Sequence, residues 1–343
     1  MASHEDRRGF RPLPEDLTRR PVSISTAAGI GVSRKQLRGA LWQPNTRGFY
    51  LWAGVDADNV DVRIAQATAL LPTGAAIGGW ASLYLQGAID LDGGSDLNVQ
   101  RTAMLRRSRT TPAFRPSSSR PAPVLVCVGP GARIRPRDDV DLSRRALPDE
   151  DVVMVGDVPC VRAARAATEL MGRQPPEDGL VSVDAVLRAG LTELDEISAY
   201  VAANPRVVGA ERIRRLLRMA DGNSRSCPES RLRWIWCVQA GLPRPLVNVT
   251  LLDQYGRELG IPDLLDEESG LVGEYDGAQH RELGAHTLDN DREERFERHN
   301  LLVARATSID IFRRRQLLIA RLRAAHRDGL RRDRSRDRWT IAV

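Results

Sequence analysis

Short apolar runs separated by polar turns dominate the last third of the chain. Apolar and polar positions alternate within these runs, which is typical of strands with one buried face. The pattern predicts a helix over 228–240, strands over 247–252, 259–265 and 271–276, a charged helix over 288–300, a strand over 302–306 and a closing helix over 309–325. The order α-β-β-β-α-β-α indicates three antiparallel strands followed by a crossover to a fourth.

Two short helical patterns and a strand follow one another near the N terminus. Ser33 is placed to cap a helix over 34–41, and Leu37 and Leu41 would share its buried face. A strand over 47–52 comes next. A helix–turn–helix followed by a short strand is the plan of a winged helix.

Basic residues fall on the exposed face of the second of these helices. They are Arg34, Lys35 and Arg38. A helix in this position can enter the major groove of DNA, so we expect these side chains to contact DNA. A helix pair that serves only as scaffolding is the alternative.

The changes in pattern along the chain predict an α+β protein with several domains. The expected segments are a disordered arm over 1–22, a winged-helix head over 23–55, a mixed α/β middle domain over 56–222, a C-terminal α-β-β-β-α-β domain over 223–325 and a basic tail over 326–343. A length of 343 residues is consistent with this division, because one core of that size is uncommon.

The positive charge is concentrated at the two ends of the chain. The formal net charge is +6, yet residues 1–55 carry nine basic and four acidic groups, and residues 313–338 carry eleven arginines and three aspartates. Clustered arginine is expected in a protein that contacts phosphate backbones, and a solvated helix face is the alternative. Lys35 is the only lysine.

Hydrophobicity and cysteine usage favour a cytoplasmic protein. No apolar stretch has the length needed to cross a bilayer, and the first twenty residues lack the apolar core of a secretory signal. The four cysteines are scattered without a Cys-x-x-Cys pair, so we expect reduced thiols. They are Cys127, Cys160, Cys227 and Cys237.

Three acidic residues stand at the ends of apolar runs in the C-terminal third. Asp263 follows Pro262, and Glu274 and Asp276 end the next run. Acidic side chains on adjacent strands can share a divalent metal such as Mg²⁺ or Mn²⁺, and a carboxylate at the edge of an apolar strand is costly without a partner. The alternatives are local, with Asp263 as a turn cap and Asp276 as part of an Asp-Gly turn.

The spacing of these residues resembles that of a nuclease superfamily. Pro262-Asp263, a gap of ten residues and then Glu274 is similar to the PD-(D/E)xK pattern. The segment 224–322 also resembles a bacterial family of unknown function related to very-short-patch mismatch-repair endonucleases. The matching residues are Pro228 to Arg233, Gly241-Leu242-Pro243, Glu274 to Gly277, His280, Asp291-Arg292 and Arg295. Both resemblances imply a restriction-endonuclease-like α-β-β-β-α-β core.

The resemblance implies a metal centre for phosphodiester hydrolysis. Asp263 and Glu274 would ligate Mg²⁺ or Mn²⁺, with the carbonyl of Tyr275 as a possible third ligand. Glu229, on the first helix, would bind the ion through water or orient a ligand. Such an ion lowers the pKa of a bound water and offsets charge on the phosphate.

The resemblance assigns proton transfer and phosphate binding to residues after the third strand. His280 would be the base or a phosphate contact, and Arg292 and Arg295 would clamp the phosphate. The position that usually holds a lysine holds Asp276. Three outcomes stay open: Asp276 is a further metal ligand, Gln279, His280 or Arg292 replaces the lysine, or the site is degenerate.

A second resemblance lies in the N-terminal part. Val32 to Leu37 followed by Arg47 to Tyr50 is similar to the winged helix of abortive-infection type IV antitoxins. That resemblance implies binding to the protein's own promoter DNA and opposition to a cognate nucleotidyltransferase toxin.

Two classes of function are therefore expected. The first is a metal-dependent endonuclease that acts on DNA, in repair or in phage defence. The alternative is a non-catalytic, antitoxin-like regulator that binds DNA and carries a degenerate nuclease fold. A protein-interaction module is a third class, and it leaves the two basic ends unexplained.

Overall fold

The computed structural model describes residues 21–45, 48–94, 121–134, 137–276 and 285–342, with the backbone alone for 285–291. The fold is α+β, and four sheets are present among these residues. Apolar residues cluster in three successive units of the chain. Within the described residues, every helix is too short or too polar to span a membrane.

The first unit is a helix pair packed on a three-stranded antiparallel sheet. Its elements are β1 (Val22–Ser23), α1 (Ile24–Gly29), α2 (Arg34–Leu37), β2 (Trp42–Pro44) and β3 (Phe49–Trp52). The strand order is β1-β3-β2. Apolar residues from both helices and the first two strands form a small core between them.

Helix α2 has the predicted cap but is shorter than predicted. Ser33 Oγ accepts a hydrogen bond of 3.3 Å from the Gln36 amide, and the Gln36 side chain accepts one of 2.7 Å from the Ser33 amide. The chain then turns tightly, because the Gly39 amide donates to the carbonyl of Gln36. Leu37 is therefore buried, whereas Leu41, predicted to share its face, is 44% exposed.

The middle unit is a five-stranded mixed sheet with helices packed on it. Its elements are α3 (Val60–Thr68), β4 (Ala76–Gly78), α4 (Gly79–Gln86), β5 (Val124–Cys127), β6 (Val140–Ser143), β7 (Val152–Val155), β8 (Val158–Val161), α5 (Ala163–Arg173), α6 (Pro176–Arg188), α7 (Leu194–Ala203) and α8 (Ala210–Met219). The strand order is β6-β5-β4-β8-β7, with β4 in the centre. A large apolar cluster joins the sheet to helices α4 to α8.

The C-terminal unit contains two sheets. Its elements are α9 (Cys227–Trp234), a π-helical turn (Ile235–Gln239), β9 (Leu246–Val247), β10 (Leu251–Asp253), β11 (Glu258–Gly260), β12 (Leu264–Asp266), β13 (Leu271–Asp276), α10 (Ala285–Arg298), β14 (Leu302–Thr307), α11 (Ser308–Phe312), α12 (Arg315–Gly329) and β15 (Trp339–Ile341). The larger sheet has the order β14-β13-β12-β9, in which only β13 and β14 are parallel. Helices α9, α11 and α12 cover one face of it, and α10 and the smaller sheet, β11-β10-β15, cover the other.

Two predicted strands are each divided between these sheets. The run over 247–252 becomes β9 and β10, with Asn248 between them at a φ of +50°. The run over 259–265 becomes β11 and β12, with Pro262 between them. A positive φ bends the chain out of the extended form, and proline lacks the N–H that a ladder requires. Each run therefore leaves one sheet and enters the other.

The segment predicted as a basic tail, 326–343, contributes to this fold. The predicted closing helix forms α11 and α12, and α12 continues to Gly329. Trp339–Ile341 then forms β15, which pairs antiparallel with β10. Trp339 and Ile341 pack on the apolar cluster beneath the smaller sheet, so two apolar residues among the arginines fix the end of the chain.

A buried ionic junction joins the middle and C-terminal units. Arg233 of α9 pairs with Asp184 of α6, and neither residue is more than 1% exposed. Arg231 lies 3.0 Å from Glu177 of α6, and Arg315 of α12 lies 2.7 Å from the same carboxylate. Charges taken out of water need close partners of opposite sign. The two units therefore meet through a specific interface of helices α6, α9 and α12.

Candidate active site

The candidate carboxylates lie where β12 and β13 run side by side. Leu264 of β12 is opposite Gly273 of β13, so Asp263, directly before β12, lies beside Glu274. The Tyr275 amide donates a hydrogen bond of 2.6 Å to Oδ2 of Asp263. This bond fixes the Asp263 carboxylate against the end of the neighbouring strand.

Glu274 and Asp276 lie on the face of the sheet that α10 covers. Val272, two residues before Glu274, packs with Phe296 of α10, and side chains alternate between the faces of a strand. Asp276 is the last residue of β13. It stands about 7 Å further along the strand than Glu274, at two residues of about 3.3 Å each. The structure thus brings Asp263 and Glu274 together and places Asp276 beyond them.

Glu229 reaches the same edge of the sheet from the first turn of α9. It is 8% exposed. Its carboxylate accepts hydrogen bonds of 2.8 Å from Ser226 Oγ and 2.7 Å from the Arg225 amide, and Ser226 Oγ accepts from the Glu229 amide. The serine thus caps the helix, and the glutamate in turn accepts from the serine hydroxyl and from the amide of the residue before it. Glu229 is held rigidly while its charge faces the candidate site.

Asn248 links Glu229 to Asp263 and was not predicted from the sequence. Its Nδ2 donates hydrogen bonds of 2.9 Å to Glu229 and to the carbonyl of Asn223, and its amide donates to the carbonyl of Asp263 at 3.2 Å. Its Oδ1 is buried without a hydrogen-bond partner in the described part of the chain. A bound water or cation would supply that partner. An asparagine between two apolar runs is the signal that could have identified it, because asparagine tolerates a positive φ.

The charge balance at this edge favours a cation. Burial raises the pKa of Asp263 to about 6, and the negative charge of Glu229 adds to the rise. The Tyr275 amide and the guanidinium groups of Arg292 and Arg225 oppose it. Neighbouring carboxylates disfavour each other's ionisation, and a hard divalent cation would relieve that repulsion. Carboxylate and amide oxygens are also the ligands that Mg²⁺ and Mn²⁺ prefer, so the donor set fits either ion in its chemistry.

The described residues do not form a completed metal centre. Among them, no three Asp, Glu, His or Cys side chains are arranged as ligands of one ion. Arg292 accounts for part of this, because its Nη2 lies 3.0 Å from Glu274 Oε1 and also donates to the carbonyl of Ile261. An ion bound between Asp263 and Glu274 would have to displace this guanidinium.

The two arginines predicted to clamp a phosphate both contact protein acceptors. Besides the contacts of Arg292, Arg295 Nη1 donates to the carbonyl of Leu259 at 3.3 Å. Both side chains therefore tie α10 to β11 and the chain that follows it. His280 and Gln279, the other candidates to replace the lysine, lie outside the described residues.

Arg225 is an exposed cation beside the carboxylates, and it was not predicted from the sequence either. Its charge lowers the pKa of Asp263. Its side chain makes no salt bridge to another described residue. The signal for it is positional, since Arg225 directly precedes Ser226, the cap of the helix that carries Glu229. A guanidinium placed this way can meet a phosphate bound at the site.

The candidate DNA contacts of the first unit are all exposed. Arg34 and Lys35 lie on α2, and Arg38 follows it directly. Arg34 also lines a concavity of about 710 Å³ to which Ser23 and Ser33 contribute. Guanidinium and hydroxyl groups are those that contact phosphate oxygens in protein–DNA complexes. This surface is separate from the carboxylates of the C-terminal unit.

No model of a known protein family matches the chain, and a search among curated proteins finds no match.

Proposed function

We propose that this protein is a metal-dependent endonuclease that hydrolyses phosphodiester bonds of DNA, in repair or in phage defence. The observation that carries the proposal is Asp263, a carboxylate with a pKa raised to about 6 that lies next to Glu229 and Glu274 where β12 meets β13. Clustered carboxylates at a strand end are the arrangement that holds Mg²⁺ against a phosphate.

The order of elements in the C-terminal unit supports the same proposal. Helix α9, strands β9, β12 and β13, helix α10 and strand β14 follow one another as α-β-β-β-α-β. The pair β10–β11 is a hairpin inserted between the first two of these strands. This is the order that the resemblance to PD-(D/E)xK nucleases implies.

Each carboxylate has a role in this proposal. Asp263 and Glu274 would hold Mg²⁺ or Mn²⁺, and Glu229 would contact the ion through water. When bound, such an ion lowers the pKa of a coordinated water and offsets charge on the phosphate. Asn248 keeps Glu229 beside Asp263, and the Tyr275 amide orients the Asp263 carboxylate. With a pKa of about 6, Asp263 is mostly ionised at neutral pH and able to bind a cation.

Two arginines would supply the positive charge that a lysine gives in the resembling nucleases. Arg225 is exposed beside Asp263. Arg292 would leave Glu274 as the cation binds, and a released guanidinium can bind a phosphate through two nitrogens. Asp276 lies further along the strand, where it would contact the metal only through water.

The first unit supports DNA as the substrate. Arg34, Lys35 and Arg38 are exposed on a helix pair followed by a strand hairpin, an order that is consistent with the winged-helix plan. In this proposal the head binds DNA and delivers it to the C-terminal unit.

One observation favours the second candidate function, a non-catalytic DNA-binding regulator of the antitoxin kind. The ion pair between Arg292 and Glu274 supplies a positive charge from the protein itself, where a nuclease would use its metal. A regulator of this kind would act at its own promoter or against a cognate toxin, and its nuclease fold would be structural.

Incubation of the full-length protein with plasmid, single-stranded and mismatched DNA in Mg²⁺ or Mn²⁺ separates the two functions. The nuclease proposal expects cleavage that is lost in EDTA and in Glu274→Gln. The matched control is Glu268→Gln, an exposed glutamate in the turn at the other end of β13, which should cleave like the wild type. DNA binding without cleavage by any of these proteins would favour the regulator.

A further inference from the structure

Helix α8, in the middle unit, presents a basic face to solvent. It contains four arginines and one glutamate. Ile213 and Leu216 are buried, whereas Arg214 and Arg218 are exposed and stand one turn apart. Neither of these two arginines forms a salt bridge with a described residue. Glu211 pairs with Arg215 on the same helix, so Arg214 and Arg218 leave a net positive charge on this face.

Arg244 of the C-terminal unit extends this basic face. Its guanidinium donates to the carbonyls of Arg218 and Ala220 at 2.5 and 3.1 Å, which fixes it at the end of α8. The side chain is still 55% exposed, and its ion pair with Asp221 is long, at 3.7 Å, and shared with Arg233, which lies 3.6 Å from the same carboxylate. Hydrogen bonds to carbonyls leave the positive charge in place, so Arg244 adds to the potential of the surface.

The chain that follows α8 leads directly to the candidate active site. The carbonyl of Asn223 accepts a hydrogen bond from Asn248, and the amide of Arg225 donates one to Glu229. The Arg225 guanidinium acts on the pKa of Asp263. Only six residues separate the exposed Arg218 from Arg225 beside the carboxylates. We define the arginine strip as Arg214, Arg218, Arg244 and Arg225.

We propose that the arginine strip binds the sugar–phosphate backbone of DNA and guides a strand to the carboxylates around Asp263. The proposal rests on the proposed function for its endpoint, the site, and on the strip itself for binding. Arg214 and Arg218 are separated by about 6 Å of helix rise, which is short enough for the two guanidinium groups to contact neighbouring phosphates of one DNA strand. Arginine suits this role because its planar guanidinium binds phosphate oxygens in pairs.

A second set of exposed arginines provides a control of equal charge. Arg331 and Arg334 belong to the basic segment near the C terminus. Their neighbour Arg332 donates to the carbonyls of Glu267 and Glu268, in the turn between β12 and β13. This turn is at the opposite end of β13 from Asp276, about 20 Å away for six residues of strand. If DNA affinity depended only on net charge, substitution of either pair of arginines would weaken it equally. If the strip binds the DNA, only the substitutions in the strip should weaken it.

The test compares two double variants of the full-length protein. Arg214→Ala/Arg218→Ala and Arg331→Ala/Arg334→Ala are each made in an Arg34→Ala/Lys35→Ala/Arg38→Ala background, which removes the three contacts expected of the head. Fluorescence anisotropy with a labelled DNA duplex in EDTA gives Kd between about 50 and 200 mM salt. We expect the strip variant to bind about tenfold more weakly at low salt and to lower the slope of log K against log salt by about 1 to 2, since each phosphate contact contributes about 0.9.

The control variant should bind within about twofold of its parent, because its arginines lie next to Arg332, which contacts the turn at the end of β13 opposite the carboxylates. Equal losses in the two variants, or an unchanged slope in the strip variant, would overturn the proposal. A clear preference of the parent for an RNA of the same length, lost with the strip, would overturn DNA as the ligand. Thermal denaturation of each variant verifies that it folds, which the exposure of all four side chains leads us to expect.

The arginine-strip proposal and the nuclease proposal can be rejected independently of each other. Binding is measured without metal, so a chain that never cleaves DNA still supports the strip if Arg214→Ala/Arg218→Ala weakens binding. Conversely, metal-dependent cleavage with unchanged affinity and rate in that variant would overturn the strip and leave the nuclease proposal standing.

Discussion

Arg292 donates a hydrogen bond of 3.0 Å to Glu274 Oε1, and the same nitrogen also donates to the carbonyl of Ile261. One guanidinium thus connects α10 with a carboxylate of β13 and with the chain between β11 and β12. Its Nε is buried and has no partner among the described residues. A buried donor left without a partner is unfavourable, so this guanidinium is held at some cost, and the metal-site proposal requires that an incoming cation displace it from Glu274.

If a bound cation has to displace Arg292 from Glu274, the Arg292→Gln variant should have a higher affinity for metal. Removal of the guanidinium takes one ion-pair partner from Glu274 and removes a positive charge that repels an incoming ion. We expect Mn²⁺ to bind about tenfold more tightly, which corresponds to about 1.4 kcal/mol. The free energy of unfolding should fall by about 1 to 2 kcal/mol as the contacts of Arg292 are lost. Calorimetric titration with Mn²⁺ and denaturant unfolding measure the two effects.

Arg295→Gln is the matched control for this experiment. Arg295 lies on the same helix and donates to a backbone carbonyl, that of Leu259, without contacting a carboxylate. Its substitution should therefore leave the Mn²⁺ affinity within about twofold, because no ligand is released. An Arg292→Gln protein that binds Mn²⁺ no better than the wild type would contradict this displacement.

From the raised pKa of Asp263 we predict that the metal-free protein loses stability as the pH rises. Its pKa in the folded chain, about 6, is higher than the ordinary value of 3.8, so ionisation favours the unfolded chain. The stabilisation is complete below about pH 4 and is lost as the pH rises through about 6, by about 3 kcal/mol in total. Denaturant unfolding in EDTA between pH 4 and pH 8 measures this loss.

Two variants assign the effect to this residue. Asp263→Asn has no carboxyl group to ionise there and should show a flatter pH dependence, with higher stability than the wild type at pH 7. Glu258→Gln changes an exposed carboxyl group of β11 and should follow the wild type. The same pH dependence in Asp263→Asn as in the wild type would show that another group is responsible.

We predict that a substitution at Asn248 can weaken metal binding while the stability of the fold is nearly unchanged. Asn248→Gly keeps a residue that adopts a φ of +50° without strain but removes the amide that holds Glu229. We expect nearly normal folding together with Mn²⁺ binding weakened by about five- to tenfold, because Glu229 becomes free to move. Asn248→Ala should show the same loss of binding and a further loss of about 1 kcal/mol in stability from the strained backbone. Equal Mn²⁺ affinity in the glycine variant and the wild type would rule out this positioning role.

The junction between units predicts a large loss of stability on breaking one ion pair. Asp184→Ala leaves the Arg233 guanidinium buried without its closest partner, which should cost about 3 to 5 kcal/mol. Glu211→Ala breaks the exposed pair with Arg215 and should cost less than about 0.5 kcal/mol. Thermal unfolding of the two variants tests the contrast, and similar losses in both would contradict it.

The local sequence pattern was sufficient to predict those elements whose ends are marked by capping or turn residues. The strand over 271–276 was predicted with the bounds it has, because its apolar run stops at an Asp-Gly pair. The cap of α2 at Ser33 was also predicted, since serine is a common N-cap residue, and the structure adds the reciprocal bond from Gln36 that completes a capping box. The adjacency of Asp263 and Glu274 followed from the pairing of two consecutive strands.

Features that depend on distant partners were not predicted. The division of 247–252 between two sheets depends on β15, which is formed by residues about ninety positions later in the chain. Asn248 acquires its role only because Glu229 and Asp263 come from separate elements. Arg292 matched the phosphate contact of the resembling nucleases, but its contact with Glu274 depends on how α10 packs on the sheet.

The buried junction also limits how this protein can diverge. Arg231, Arg233 and Arg315 belong to the C-terminal unit, whereas Glu177 and Asp184 belong to the middle unit. A recombination event near residue 222 could replace the C-terminal half with one from another protein. The buried carboxylates of the middle unit would then lack arginines at the matching positions. The two halves should therefore be inherited together, with changes on one side of the interface compensated on the other. The helix pair at the N terminus shares none of these ion pairs and is the part of the chain that could be exchanged most freely.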